Sequence, residues 1–152
     1  MKNYTLRTAE ITDLKFLFNV STEAMRPVVE ELHPGETFES EKEFEKYKEK
    51  FIPEKIQIIQ CKDQDVGRLR VVRTNESIYI GGIQILPAFQ GKGIGAAIFN
   101  DLMEEANKNN LLIILEVHDV NIKALAFYKK LGFVESGRQR ELKKSILTYR
   151  PS

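Results

Sequence analysis

The sequence predicts one α/β (α+β) domain spanning residues 1–152, built on a mostly antiparallel sheet that is interrupted by a single parallel crossover. Three observations predict it. Residues 55–61, 66–72 and 78–86 are rich in β-branched and apolar side chains and are joined by the short polar turns Lys62-Asp63-Gln64-Asp65 and Thr74-Asn75-Glu76, which makes an antiparallel meander. The last of these strands leads through Gln90-Gly91-Lys92-Gly93-Ile94-Gly95 into the amphipathic stretch 96–103, and the continuous apolar run 111–117 follows. Strand, glycine turn, helix and strand in that order form a parallel crossover, and an unbroken apolar run is expected of a strand buried on both faces. Finally, 152 residues of which 42% are hydrophobic fill one sizeable core and leave too little for a second domain.

The remaining elements follow in chain order. Tyr4-Thr5-Leu6-Arg7 alternates as a short half-buried strand does. Thr12 is placed to cap a helix from Asp13, with Ile11 and Phe16 as a hydrophobic staple and Leu14, Leu17 and Phe18 as its apolar stripe. Pro27 and His33-Pro34-Gly35-Glu36 break that pattern, so the helix is expected to end near Met25. Ser40-Glu41-Lys42-Glu43 reads as a capping box for a second helix, with Phe44, Tyr47 and Phe51 on one face and a stop at Pro53. Beyond the crossover, residues 121–131 form an amphipathic helix carrying Ile122, Leu125, Phe127, Tyr128 and Leu131, and Gly132 stands where a left-handed C-cap is wanted. Phe133 packs back and opens another strand, and Ser145-Ile146-Leu147-Thr148-Tyr149 is the closing antiparallel strand.

Lysine and arginine (23) nearly balance aspartate and glutamate (22), so at a net charge of +1 no global field favours nucleic acid or an anionic membrane. Function is therefore expected in a local pocket. Cys61 is the only cysteine, which excludes an internal disulfide and a cysteine-based zinc site and fits a reducing compartment. The start Met1-Lys2-Asn3-Tyr4 has no apolar signal core and no later run approaches a membrane span, so a soluble cytoplasmic protein is expected.

The glycine turn is the chemically informative stretch. Without Cβ atoms at 91, 93 and 95 the backbone can take φ > 0 and approach a ligand, while the first helical N–H groups point outward unpaired. Such a place suits a phosphate, and Lys92 adds positive charge to it. A tight strand-to-helix turn that binds nothing is the plainer reading of three glycines. Gly81-Gly82 in the preceding strand fit a bulge, a ligand lying against the backbone, or close packing against a helix. Gly91-Lys92-Gly93-Ile94-Gly95-Ala96 also matches a relaxed dinucleotide fingerprint, with Glu116 about 20 residues on as the ribose-binding acid. Against that reading, Pro87-Ala88-Phe89-Gln90 separate strand from loop, a meander precedes it, and too little chain follows for the second half of a doubly wound sheet. No Lys-Ser or Lys-Thr follows a glycine at P-loop spacing.

Taken together, these residues resemble the GNAT superfamily of acyl-CoA-dependent N-acetyltransferases. The resemblance rests on Ile83-Gln84-Ile85-Leu86-Pro87 running into Gln90-Gly91-Lys92-Gly93-Ile94-Gly95, then Leu115-Glu116-Val117, Asn121, and Ala124-Leu125-Ala126-Phe127-Tyr128-Lys129-Lys130-Leu131-Gly132-Phe133. It implies a sheet of about seven strands with helices on both faces, in the order β-α-α-β-β-β-α-β-α-β-β. It also implies acetyl-CoA as co-substrate without a metal, a small-molecule or peptide amine as acceptor, no nucleic-acid or membrane partner, and compatibility with a homodimer. Main-chain groups of Ile83, Gln84 and Ile85 would pair with the pantetheine arm, and the amides of Gly91 to Ala96 (Gly91, Lys92, Gly93, Ile94, Gly95, Ala96), following Gln90, would hold the pyrophosphate. Asn121 would hydrogen-bond the cofactor arm, although capping the last helix is an equal role for it. Tyr128 would stand near the thioester sulfur.

Attack on a thioester needs an amine without its extra proton, so some base or water relay must accept that proton. Glu116, His118 and Asp119 lie at the end of the crossover strand, and Glu116 is carried forward with Tyr128 as a catalytic candidate. Glu23, Glu30, Glu31 and Glu36 lie in the first helix or its connection, where the resemblance implies acceptor contacts.

Overall fold

The computed structural model describes residues 3–35 and 40–152. The strands are β1 (Thr5–Thr8), β2 (Gln57–Cys61), β3 (Gln64–Arg73), β4 (Ser77–Ile85), β5 (Leu112–His118), β6 (Val134–Gln139) and β7 (Lys144–Tyr149). The helices are α1 (Leu14–Leu32), α2 (Ser40–Glu49), α3 (Ile94–Asn109) and α4 (Ile122–Leu131). This is the predicted element order. Hydrogen bonding joins the seven strands in the order β1-β2-β3-β4-β5-β7-β6. β4 and β5 are parallel, whereas β1/β2, β2/β3, β5/β7 and β6/β7 are antiparallel. No helix among the described residues is long and apolar enough to cross a membrane. The chain divides into two compact units, Met1–Arg70 with Gly82–Ala97, and Val71–Gly81 with Ile98–Ser152.

In the first unit, α1 begins differently from the sequence reading. A 3-10 turn at Ile11–Asp13 precedes it, and the Asp13 carboxylate accepts the Glu10 N–H at 2.8 Å while also receiving both Nη atoms of Arg7 at 2.9 Å. Asp13, rather than Thr12, therefore satisfies the helix entry, and hydrogen bonding by Arg7 holds its carboxyl below the usual carboxylate range. Ile11 is 76% exposed, so no staple to Phe16 forms. The expected end near Met25 is also corrected, because α1 continues through Pro27 to Leu32. An interior proline costs about 3 kcal/mol. Burial of Val28 recovers roughly 1.5–3 kcal/mol, and Pro27 is exposed, so the carbonyl it leaves unpaired can be hydrated.

Leu17 packs with Ala9, Ile56 and Ile58, and Phe16, Tyr47 and Phe51 close over that cluster. Phe18 meets Phe44 and Tyr47 edge-on at 5.2 and 5.6 Å, tying α1 to α2. α2 starts at Ser40 as expected, but the side-chain half of the capping box lies outside the described residues. β2 and β3 form a hairpin whose pair Cys61↔Gln64 closes over Lys62 and Asp63, both at positive φ (51° and 66°), as a two-residue turn of type I′ requires. Gly67 lies so close to β4 that a Cβ there would stand 2.4 Å from the Gln84 carbonyl oxygen. The Leu86 N–H donates to the Val66 carbonyl at 2.8 Å just beyond.

In the second unit the β4/β5 ladder runs from Ser77↔Leu112 to Ile80↔Leu115, and β5/β7 from Ile113↔Tyr149 to His118↔Lys144. β5 is not buried equally on both faces. Ile113, Leu115 and Val117 are buried, but Leu112, Ile114, Glu116 and His118 on the alternate face are only half-buried. Phe99 on α3 is fully buried and takes edge-on contacts from Phe127, Tyr128 and Phe133 at 5.9, 5.3 and 6.0 Å. Arg73 clasps Glu105 of α3 with two hydrogen bonds of 2.7 and 2.9 Å. Gly132 ends α4 at φ 105°, the left-handed cap that its position predicts.

Candidate functional site

The first unit holds the strand and loop singled out by the sequence. After Ile85 the chain makes one 3-10 turn, Pro87–Phe89, closed by Phe89 N–H to the Leu86 carbonyl (2.9 Å) and Gln90 N–H to the Pro87 carbonyl (3.2 Å). The Gln90 side-chain amide reaches back and donates to the Ile85 carbonyl at 2.8 Å, so it braces the loop against the strand it left. Gly91 and Gly93 take φ of 74° and 84°, a region costly to any residue with a Cβ. Gly95 does not. It lies in the first turn of α3, and the expectation of positive φ there is corrected: two left-handed residues complete the reversal, and the third glycine continues as helix.

The first α3 bond runs from the Ala97 N–H to the Gly93 carbonyl at 3.0 Å. The N–H groups of Ile94, Gly95 and Ala96 therefore precede the helix ladder and have no partner within it. Among the described residues nothing comes within 4 Å of the Cβ position of Gly91, and at Gly93 only the Asn3 amide nitrogen does, at 3.9 Å. The Lys92 ammonium sits 5.7 Å from the centre of the Phe89 ring. An anion brought to this helix start would meet free N–H groups, the positive end of the helix dipole and a lysine together. Upstream, Ile83, Gln84 and Ile85 are half-buried on β4, five residues of which (81–85) lie beyond the last β4/β5 pair, Ile80↔Leu115. Gly81 and Gly82 lie within β4, and both stay outside the positive-φ region.

The second unit holds the remaining candidates. Tyr128 on α4 is 9% exposed, its ring held edge-on by Phe99 (5.3 Å), Phe127 (5.4 Å) and Phe133 (5.6 Å). Its hydroxyl makes no hydrogen bond among the described residues and is not fully enclosed. Burial pushes its pKa up to about 12, so the phenol keeps its proton at neutral pH and can act only as a neutral donor or acceptor. The unfolded chain ionises tyrosine near pH ~10, whereas the folded chain holds this proton to about 12. Stability is therefore full below about pH 10 and falls as the pH rises toward 12. Tyr128→Phe is expected to flatten that alkaline loss in denaturant titrations; an unchanged slope would place the hydroxyl in open solvent.

Asn121 caps α4: its Oδ1 accepts the Ala124 N–H at 3.3 Å and its own carbonyl accepts the Leu125 N–H at 3.0 Å. The Nδ2 of the same side chain donates to nothing among the described residues, so capping leaves a donor for a ligand. Glu116 accepts the Tyr79 hydroxyl on Oε2 at 2.9 Å, and its other oxygen has no described partner. The Asp119 carboxylate is taken by the Ser145 hydroxyl (2.7 Å) and by Arg138, and the Ser145 bond first among these holds its pKa below the usual range. Burial, and after it Lys144, lowers the His118 pKa from its usual value, and its Nδ1 is enclosed without a partner. Of the acidic residues on α1, Glu23 pairs with Arg26 at 2.6 Å and Glu30 and Glu31 are exposed; Glu36 lies outside the described residues.

One group was missed by the sequence reading. Arg68, inside β3, donates through Nη1 to the Gln84 side chain at 2.6 Å and has no carboxylate partner among the described residues. The sequence signal was an arginine at 68 followed by a second at 70, on one face of an otherwise apolar strand.

A family model described as an acetyltransferase (GNAT) domain matches residues 19–148. The chain is 38% identical over 75 residues to the N-alpha-acetyltransferase RimI of Mycobacterium tuberculosis, covering 49% of this chain and 46% of that protein. It is 33% identical over 72 residues to streptothricin acetyltransferase A of Bacillus subtilis, covering 45% and 41%. The matched stretch thus spans less than half the length of these curated relatives. A PaiA N-acetyltransferase from Thermoplasma acidophilum, solved in complex with coenzyme A, superposes with a TM-score of 0.73 at 18% identity over 97% of this chain and 98% of that one. The likeness in fold agrees with a sheet that is mostly antiparallel, and the doubly wound parallel sheet of a dinucleotide-binding domain is not what the strand pairing forms.

Proposed function

Because the chain belongs to the GNAT acetyltransferases, we propose that it is an acyltransferase moving an acetyl group from acetyl-CoA to a primary amine by direct attack in a ternary complex. The observation that carries the donor assignment is the pair Gly91 and Gly93 at positive φ ahead of the unpaired N–H groups of Ile94, Gly95 and Ala96. In this reading the amides of residues 91–96 hold the pyrophosphate, and Lys92 adds its charge. The main chain of Ile83, Gln84 and Ile85 pairs with the pantetheine arm as an added strand, with Gln90 bracing the Ile85 carbonyl. Asn121 offers its Nδ2 to the cofactor arm. The coenzyme A bound by the Thermoplasma acidophilum protein supports this choice of donor.

Acetyl-CoA supplies an activated acyl group and a sulfur leaving group. Tyr128, protonated at neutral pH, donates a hydrogen bond or proton to that sulfur as it departs. Glu116 accepts the proton of the amine on the oxygen that Tyr79 leaves free. Asp119, held by Ser145 and Arg138, is the poorer base because its lone pairs are already engaged. The acceptor is a small-molecule or peptide amine, and the lone, half-buried Cys61 suits a cytoplasmic setting.

Donor preference tests this reading. A ligand that binds only the folded state stabilises it by about 2.7 kcal/mol at 100 times its Kd. Acetyl-CoA is expected to raise the melting temperature by several degrees and NAD to leave it unchanged. The reverse order would overturn the donor assignment and restore a dinucleotide site.

A further inference from the structure

We propose that Arg68, with Arg70, Tyr47 and Gln84, seats a carboxylate carried by the acceptor, so that the acceptor is an amino-acid-type molecule bearing both a primary amine and a carboxylate. The inference rests on the acetyl-transfer reading for the identity of the ligand as an acceptor, and on this first unit alone for its charge.

The Arg68 guanidinium is half-buried in β3 between Gly67 and Leu69. Its one side-chain hydrogen bond among the described residues joins Nη1 to Gln84 Oε1 at 2.6 Å, and its Nε is enclosed with no partner there. No carboxylate among the described residues pairs with it. A buried cation without a counter-charge is strongly unfavourable, and here burial lowers the Arg68 pKa while Arg70, two residues on along the same face, lowers it further. The Tyr47 hydroxyl lies within electrostatic reach of Arg68, and its oxygen is also enclosed with no partner. The Tyr47 ring is fixed by Phe18, edge-on at 5.6 Å, and Phe51, stacked at 6.0 Å. Gly82 completes the place, because a Cβ there would stand 2.8 Å from Arg68 Nη1.

The unsatisfied groups share one chemical property. Arginine Nε–H and a tyrosine O–H can both donate, and arginine has no acceptor at all. The group that satisfies both and also supplies the missing charge is an acceptor-only anion, and a carboxylate matches the guanidinium edge with two parallel hydrogen bonds. A second ammonium or a polyamine would meet like charge from Arg68 and Arg70. Gly82 and Gln84 flank Ile83, the start of the strand segment assigned to the pantetheine arm, so an acid seated here is next in line to the donor strand. That adjacency makes the carboxylate part of the acceptor rather than of an unrelated ligand.

The test is calorimetric titration of N-acetyl-amino acids and their carboxamides, as matched pairs across the common side chains, into the protein with and without saturating coenzyme A. At least one acid is expected to bind about tenfold or more tightly than its amide. The preference should vanish in Arg68→Met and survive in part in Arg68→Lys. Absence of any acid preference, or the same preference in Arg68→Met, overturns the proposal. Coenzyme A binding is read separately in the same titrations, so loss of the acetyl-transfer reading with an intact acid preference would leave a carboxylate site on a protein of another activity. Melting temperature separates a structural role: the unligated Arg68→Met protein should melt no lower than the parent, because it loses an uncompensated charge. A lower melting temperature together with no acid preference would make Arg68 a fold residue.

Discussion

Tyr128→Phe is expected to lower kcat by roughly 10²–10⁴, the usual worth of a positioned general acid, while acetyl-CoA affinity stays within about twofold. The expectation follows from what the substitution removes. Phenylalanine keeps the ring and its edge-on contacts with Phe99, Phe127 and Phe133, so the core of the second unit is preserved. Only the hydroxyl goes, and it has no hydrogen-bond partner among the described residues whose loss would destabilise the fold. A sulfur leaving group without a proton donor departs as a thiolate against a higher barrier, which appears in kcat rather than in binding. Steady-state thiol release with saturating amine, paired with calorimetry for the donor, reads both quantities. Parent-like turnover would make Tyr128 a packing residue whose hydroxyl happens to reach solvent.

Gly93→Leu is expected to weaken acetyl-CoA binding by about 10- to 100-fold, or roughly 1.4–2.8 kcal/mol, in a protein that still folds. Two separate penalties meet at this position. A Cβ residue at φ 84° carries about 1–2 kcal/mol of backbone strain, which either lowers stability or rotates the turn away from its anion-binding form. A Cβ there meets no atom of the described residues closer than 3.9 Å, so the added bulk begins in open space beside the Ile94, Gly95 and Ala96 amides. The fold therefore tolerates the change better than the ligand does. Unaltered donor affinity, with circular dichroism and melting temperature near those of the parent, would remove the glycine turn from the site.

Local signals carried well from sequence to structure. The crossover through the glycine turn, the Asn121 cap and the left-handed Gly132 each depend on a few neighbouring residues and stand where the sequence puts them, while the polar turn expected over residues 62–65 is tighter, with Gln64 and Asp65 already in β3. What misled was non-local. Pro27 reads as a helix stop until Val28 is seen buried beyond it, and Thr12 reads as the cap until Arg7 is found holding Asp13. Gly95 is indistinguishable in sequence from Gly91 and Gly93, yet helix geometry needs only the first two to turn. Arg68 and Tyr47 are 21 positions apart on different elements, so their shared lack of partners has no sequence signature.

The most direct measurement of the account is free thiol released from acetyl-CoA by the purified protein across a panel of primary amines, with the N-acetyl product identified by mass. The account predicts stoichiometric thiol and N-acetylated product with at least one amine, and none from the Tyr128→Phe protein beyond a small residual rate. Acetyl-CoA bound tightly with no thiol released from any amine in the panel would contradict it, leaving an acyl-CoA-binding module rather than an acetyltransferase.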